Sequence, residues 1–149
     1  MSYLWFMLFE ELLGHENLKS HLRSSTDAGR VPHSQLFVGP EGSGTLPMAI
    51  AYARYLLCGN APGSQAGASD PCHTKCANLT HPDLHFAYPV ATSGSVKKHP
   101  VSDDFLPQWR DFVREQAYGN LFDWYRAIGI DRKQGQIGVD EAHDIVRKL

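Results

Sequence analysis

The chain has 149 residues, a length that suits one domain or part of one. Its formal net charge of -2 at pH 7 lacks the basic excess of a dedicated nucleic-acid-binding protein. No stretch approaches the roughly 18 consecutive apolar residues of a membrane span, and the apolar opening Met1–Phe9 has no basic leader. We therefore expect a soluble, cytoplasmic protein with no membrane partner.

The first segment has apolar residues at helical spacing, interrupted at Gly14. The apolar positions before the glycine are Phe6, Phe9, Leu12 and Leu13. The period resumes over His15–Arg23, where Leu18 and Leu22 share a face. The pattern predicts an amphipathic helix that covers a sheet.

A glycine-rich loop follows a short apolar run, Leu36-Phe37-Val38, and precedes an apolar-periodic segment, Met48–Leu57. The loop glycines are Gly39, Gly42 and Gly44. This order of strand, loop and helix is the frame of the phosphate-binding pattern G-x-x-x-x-G-K-[ST]. An ordinary glycine turn after a buried strand is the alternative interpretation.

The residues that give such a loop its chemistry are replaced. Thr45 stands at the lysine position and Leu46 at the Ser/Thr position that holds magnesium. A lysine ammonium about 4 Å from a phosphate charge is worth roughly 4 kcal/mol at an effective dielectric constant of about 20. The candidate cofactor-binding residues are Gly39, Gly42, Gly44 and Thr45. We expect this loop to bind nucleotide weakly or not at all. We therefore expect neither ATP as a cofactor nor a catalytic residue.

Three cysteines, Cys58, Cys72 and Cys76, are the candidate metal ligands. Their odd number, without an export signal, argues against a disulfide framework and leaves metal binding or free thiols. Zinc in structural sites takes four thiolate or imidazole ligands. The fourth ligand is therefore His73, His81 or water, and the alternative is a flexible loop with free cysteines, since Gly59–Thr80 shows no periodicity.

The second half predicts one more strand and three more helices. Apolar residues alternate from Leu84 to Tyr88 between prolines, which is typical of a strand. Helices are expected at Asp103–Gln116, at Tyr118–Ile130 and at Ala142–Leu149. An aromatic-rich cluster in the second of these helices is expected in the core, and its members are Leu121, Phe122, Trp124 and Tyr125.

In this order, the motifs resemble the N-terminal part of bacterial DNA polymerase III clamp-loader subunits of the delta-prime type. The matching segments are Gly14-His15-Glu16, Arg30 to Phe37, Gly39 to Gly44, Ala51 to Cys58, Pro71-Cys72, His81-Pro82-Asp83 and Gln134 to Val139. Nearly the whole chain is covered.

The resemblance implies an α/β fold of the AAA+ class, a P-loop NTPase-like parallel sheet flanked by helices. It further implies that residues 1–149 are the N-terminal part of an ATPase-like domain, with a zinc-module-like insertion at about 58–81. The family's module has four cysteines, whereas this chain supplies three. The later strands, the lid and the collar domain are not in the chain, so we expect a fragment that self-associates through open apolar surfaces.

By resemblance, the expected function is that of a non-hydrolysing clamp-loader subunit in DNA replication. Its partners would be the delta and gamma/tau subunits, and DNA would be contacted only through the complex. One alternative is an ATP-hydrolysing gamma/tau-type subunit or another P-loop NTPase. Another is a small zinc-binding interaction module.

Overall fold

The computed structural model describes residues 8–59 and 70–148. Within these ranges the regular secondary structure is helical. The α-helices are α1 (Glu16–Asp27), α2 (Thr45–Cys58), α3 (Pro71–Ala77), α4 (Leu106–Glu115), α5 (Leu121–Ala127) and α6 (Val139–Lys148). Short 3₁₀ helices occupy Phe9–Glu11 and Ser102–Phe105. None of the helices in the described ranges combines the length and the apolar character that crossing a bilayer requires.

The chain divides into an N-terminal unit, residues 1–84, and a C-terminal unit, residues 85–149. In the N-terminal unit, α2 contacts α1, α3 and the first 3₁₀ helix. The side chains buried in this core are Phe9, Leu12, Leu22, Met48, Ala51, Tyr52 and Tyr55. Helix α2 is therefore the element around which the N-terminal unit packs, as its small and apolar residues predict.

The helices predicted on both sides of the glycine loop are present, with shifted boundaries. Helix α2 begins at Thr45, ahead of Pro47, and ends at Cys58 before Gly59. The segment before Gly14 forms only a short 3₁₀ turn in its described part, and Leu13 is 80% exposed. The prediction for Phe6 lies outside the described residues.

The expected parallel sheet does not appear among the described residues, whose regular secondary structure is helical. The segment Leu36-Phe37-Val38 is not a strand, and the side chains of Leu36 and Val38 are 87% and 82% exposed. The segment Leu84–Tyr88 is not a strand either. Because a strand exists only when a neighbour completes its hydrogen bonds, apolar sequence alone does not make one.

An isolated antiparallel bridge is the β pairing found among the described residues. It joins Val90 to Gln136, with Val90 N donating to Gln136 O at 3.1 Å and Gln136 N donating to Val90 O at 2.9 Å. Both residues belong to the C-terminal unit. The predicted turn and extended piece after Gln134 therefore pairs with the segment that follows Pro89.

Aromatic side chains form the core of the C-terminal unit. Trp109 stacks on Tyr88 with ring centroids 4.3 Å apart, and Trp124 meets Trp109 edge-on at 5.2 Å. The indole Nε1 of Trp124 donates to Pro89 O at 2.9 Å. Of the four α5 residues predicted in the core, Trp124 is buried and Tyr125 is partly buried. The prediction is wrong for Leu121 and Phe122, which are each half exposed.

Candidate metal centre and phosphate-loop frame

The glycine loop leads directly into the N-terminus of α2. Gly42 and Gly44 have φ values of +75° and +89°, a left-handed conformation that glycine adopts without the cost of a Cβ. Ser43 N donates to Pro40 O at 3.1 Å and closes a turn. The imidazole Nε2 of His15 lies 3.0 Å from Ser43 O, which attaches the loop to the start of α1.

A cleft of about 530 Å³ lies beside this loop. Its lining residues are His15, Leu18, His21, Leu22, Gln35, Leu36, Phe37, Val38, Gly39, Pro40, Ser43, Gly44, Thr45 and Met48. Three of the four predicted cofactor-binding residues, Gly39, Gly44 and Thr45, are among them.

The cleft offers hydrogen bonds but no fixed positive charge, because no lysine or arginine is among the described residues that line it. Its polar groups are two imidazoles, the Gln35 amide and the hydroxyls of Ser43 and Thr45. A Cβ on Gly39 would lie 2.4 Å from Ser43 Oγ and 3.0 Å from Thr45 Cγ2, so both side chains cover this glycine. The Ser43 hydroxyl and the Thr45 methyl group thus pack against Gly39, and Thr45 stands at the position where the phosphate-binding pattern has its lysine.

The three cysteines and His81 form one cluster. Cys58 is the last residue of α2, while Cys72 and Cys76 are one turn apart on α3. The ligand atoms of these four residues all lie within 4.8 Å of one another. With the cysteines reduced, three thiolates and one imidazole nitrogen are a donor set that suits zinc, so these residue types fit the metal that the resemblance implies.

The structure places His81, and not His73, with the cysteines. His73 is buried, and its Nδ1 accepts a hydrogen bond from Arg54 Nε at 3.1 Å. Burial lowers the pKa of His73, and the nearby Arg54 charge lowers it further. The neutral imidazole of His73 is therefore an acceptor for Arg54 on the inner side of α3.

Cys58 and Cys72 are joined by a disulfide bond, so the expectation that these cysteines form no disulfide is wrong. The end of α2 and the start of α3 bring their Cα atoms to 5.7 Å, within the range that a disulfide spans. Cys76 keeps a buried free thiol, 3.5 Å from Cys58 Sγ. Burial raises the pKa of Cys76, and the Arg54 charge partly opposes that effect.

Helix α3 is the part of this centre that sequence reasoning missed. Asp70 accepts a hydrogen bond from Cys72 N at 2.9 Å, and Pro71 occupies the first helical position. The sequence signal for this helix start is an aspartate followed by proline. The buried Arg54 had no sequence signal, since an arginine in a helix is usually exposed. Residues 60–69 of the predicted loop lie outside the described residues.

Comparison with protein families matched residues 14–148 to a family described as DNA polymerase III, delta subunit. The gamma/tau subunits of DNA polymerase III from Mycobacterium bovis and Mycobacterium tuberculosis are 35% identical over 71 residues, which is 47% of this chain and 12% of each relative. The delta' subunit of DNA polymerase III from Bacillus subtilis is 31% identical over 86 residues, 54% of this chain and 23% of the relative. The matched segment thus spans less than a quarter of each of these proteins. No solved structure matched the chain.

Proposed function

The chain belongs to the DNA polymerase III delta subunit family, and on that premise we propose that it is a non-hydrolysing, delta-prime-type subunit of the clamp loader. In this role it supports the loading of the sliding clamp during DNA replication. The observation that carries the proposal is a phosphate-loop frame without its cation: Gly39 and Gly44 are in place, but Thr45 occupies the lysine position.

The loss of ATP chemistry follows from the cleft beside the loop. Backbone N–H groups at the start of α2 attract an anion, but the first turn of a helix supplies only a partial charge. Leu46 has no oxygen to bind magnesium. Among the described residues that line the cleft, a triphosphate therefore meets no lysine, arginine or magnesium ligand at the motif positions, and hydrolysis loses its main electrostatic support.

A gamma/tau-type motor subunit is the second candidate, because the mycobacterial gamma/tau relatives match this chain at 35% identity. That function needs the lysine and hydroxyl of the phosphate loop. Thr45 and Leu46 supply neither group at those positions, so the delta-prime type is favoured.

The proposed domain assignment is the N-terminal part of an AAA+ ATPase-like domain, with a zinc-module-like insertion at about 58–81. In that insertion, Cys58, Cys72, Cys76 and His81 hold one zinc ion when all three sulfurs are reduced. The zinc would tie the end of α2 to α3, and its role would be structural. The partners in the proposed function are the delta and gamma/tau subunits, with DNA contacted only through the complex.

Nucleotide titration tests the non-hydrolysing assignment. We expect the wild-type chain to show no saturable, magnesium-dependent binding of a fluorescent ATP analogue up to about 1 mM, equivalent to about 4 kcal/mol of binding free energy. The matched variant Thr45→Lys with Leu46→Ser restores the missing groups and is expected to bind more tightly. Sub-micromolar binding by the wild-type chain would instead favour the motor subunit.

Co-purification tests the assembly role. An affinity-tagged chain, expressed in its own organism, is expected to recover other DNA polymerase III subunits from cell extract. The tag alone and an unrelated tagged protein of similar charge are the controls. Recovery of none of these subunits, at a level of expression where the chain is folded, would contradict the proposed role.

A further inference from the structure

We propose that the cluster of Cys58, Cys72, Cys76 and His81 is redox-sensitive, with Cys58 and Cys72 alternating between metal ligation and a disulfide bond. The structure shows the disulfide, while the same sulfurs belong to the four-donor set. A sulfur bonded to another sulfur is no longer a thiolate ligand, so the two states exclude each other. The inference rests on the metal site in the proposed function.

The geometry allows both states without a rearrangement of helices. Zinc–sulfur bonds of about 2.3 Å at tetrahedral angles place ligand sulfurs roughly 3.8 Å apart. Cys76 Sγ is already 3.5 Å from Cys58 Sγ. The Cα atoms of Cys58 and Cys72, 5.7 Å apart, are fixed by the end of α2 and by the Asp70-capped start of α3. Small side-chain movements therefore separate the two sulfurs enough to ligate one ion.

Exposure determines which sulfurs an oxidant reaches. Cys58 and Cys72 are partly exposed, whereas Cys76 is only 2% exposed. Oxidation requires access as well as thiolate character. An oxidant from solution thus meets the two cysteines that are placed to bond to each other, and the buried Cys76 stays reduced.

A hydroperoxide is the oxidant class that balances the step. One thiolate of the pair attacks the peroxide, an S–O bond forms, the O–O bond breaks, and the leaving alkoxide or hydroxide takes a proton. The second thiolate attacks the sulfenic sulfur, the S–S bond forms, and hydroxide leaves and is protonated to water. Two thiolates, one hydroperoxide and two protons give one disulfide, one water and one alcohol, or two waters from hydrogen peroxide.

After this oxidation, only Cys76 and His81 remain as donors, fewer than the four that a structural zinc site uses. Loss of the metal follows from loss of ligands. Reduction of the disulfide by a dithiol restores three thiolates and the capacity to bind zinc. The reduced and oxidised chains thus differ in whether a metal or a covalent bond connects α2 to α3.

The experiment uses the full chain, reduced, loaded with zinc and freed of reductant. Hydrogen peroxide is added while a chromophoric chelator records released zinc and mass spectrometry records disulfides. We expect about one zinc released for each disulfide formed, and rebinding after treatment with dithiothreitol. Tryptic cleavage at Arg54 and Lys75 makes the pairing readable, because Cys58 and Cys72 fall in one peptide and Cys76 in the next. The expected product is therefore a single peptide lighter by two hydrogens.

The matched variants are Cys58→Ser and Cys76→Ser. Cys76→Ser is expected to form the intrapeptide disulfide with peroxide, whereas Cys58→Ser is not. The inference would be overturned if a chain that carries the disulfide kept its zinc. It would also be overturned if zinc release came with a bond between Cys76 and the neighbouring peptide. Either outcome would leave the metal site intact. Absence of zinc from the fully reduced chain would overturn both the metal site and this inference.

Discussion

His73 and His81 lie eight positions apart, and their rings contact different groups. His81 lies with the three sulfurs, whereas His73 accepts a hydrogen bond from the buried Arg54. Sequence reasoning left both as candidates for the fourth ligand. The structure favours His81 as the ligand because the ring of His73, on α3, already accepts a hydrogen bond from Arg54 on α2.

We predict that His81→Ala lowers zinc affinity by at least about tenfold. Loss of a residue that only hydrogen-bonds to a metal ligand already lowers affinity by about tenfold or more, and loss of the ligand itself should cost at least as much. The measurement is competition with a chelator of known affinity, under reducing conditions. His73→Gln is the matched control, since its amide oxygen can accept from Arg54, and its zinc affinity is expected to stay close to wild type. Equal losses in both variants would contradict the choice of His81.

Asp144 is a buried carboxylate held by two basic residues of the same helix. Lys148 Nζ lies 2.5 Å from its Oδ2, and Arg147 also pairs with it. The pKa of Asp144 lies below its ordinary value, mainly because of the hydrogen bond from Lys148. Burial acts in the opposite direction, and the hydrogen bond from Arg147 lowers the pKa further. The folded state therefore favours the ionised form.

A depressed pKa gives stability that is present above the ordinary aspartate value of about 3.9 and is lost as pH falls through the folded-state value. We predict that Asp144→Asn makes the C-terminal unit less stable near neutrality and flattens its loss of stability below about pH 4. Thermal unfolding followed by tryptophan fluorescence in a Trp5→Phe background reports Trp109 and Trp124 of this unit. Asp111→Asn, an exposed residue 3.9 Å from Arg114, is the control. Identical acid profiles for wild type and Asp144→Asn would contradict the prediction.

Helix α5 packs closely against the connecting segment that contains Gly135. Gly135 is buried, and a Cβ there would lie 2.7 Å from Cε1 and 3.0 Å from Cζ of the Tyr125 ring on α5. The Tyr125 hydroxyl also donates to Gly135 O at 3.2 Å. Because Gly135 has no side chain, the Tyr125 ring can contact the segment that pairs with Val90.

We predict that Gly135→Ala destabilises the C-terminal unit by about 1–3 kcal/mol, the usual cost of an inserted group in a packed site. Urea unfolding followed by tryptophan fluorescence measures this change. Gly138→Ala is the matched control, since a Cβ there meets nothing within 4 Å. An equal effect at both positions would show that the Tyr125 contact is not the cause.

At the scale of the whole molecule, the large apolar side chains of Leu36 and Val38 are both exposed to solvent, two positions apart in one loop segment. Such adjacent exposed residues favour association when another apolar surface is available. The expected self-association of the chain stays a prediction, and this segment gives it a residue basis.

We predict that light scattering detects concentration-dependent association of the wild-type chain, and that Leu36→Lys with Val38→Lys reduces it. Leu13→Lys is the matched control, because Leu13 is equally exposed but lies away from this segment in sequence. A clean wild-type monomer at high concentration would exclude association through Leu36 and Val38.

The sequence by itself determined the order of the predicted helices but not α3, because helical periodicity and capping are local and α3 is too short to show a period. It identified α1, α2, α4, α5 and α6, the loop glycines and the replacements at Thr45 and Leu46, since each depends on residues a few positions apart. Only the tertiary structure decided the absence of the sheet from the described residues, because strand pairing depends on distant neighbours. It also decided the choice of His81 and the Cys58–Cys72 bond, since both follow from how α2 and α3 pack in space.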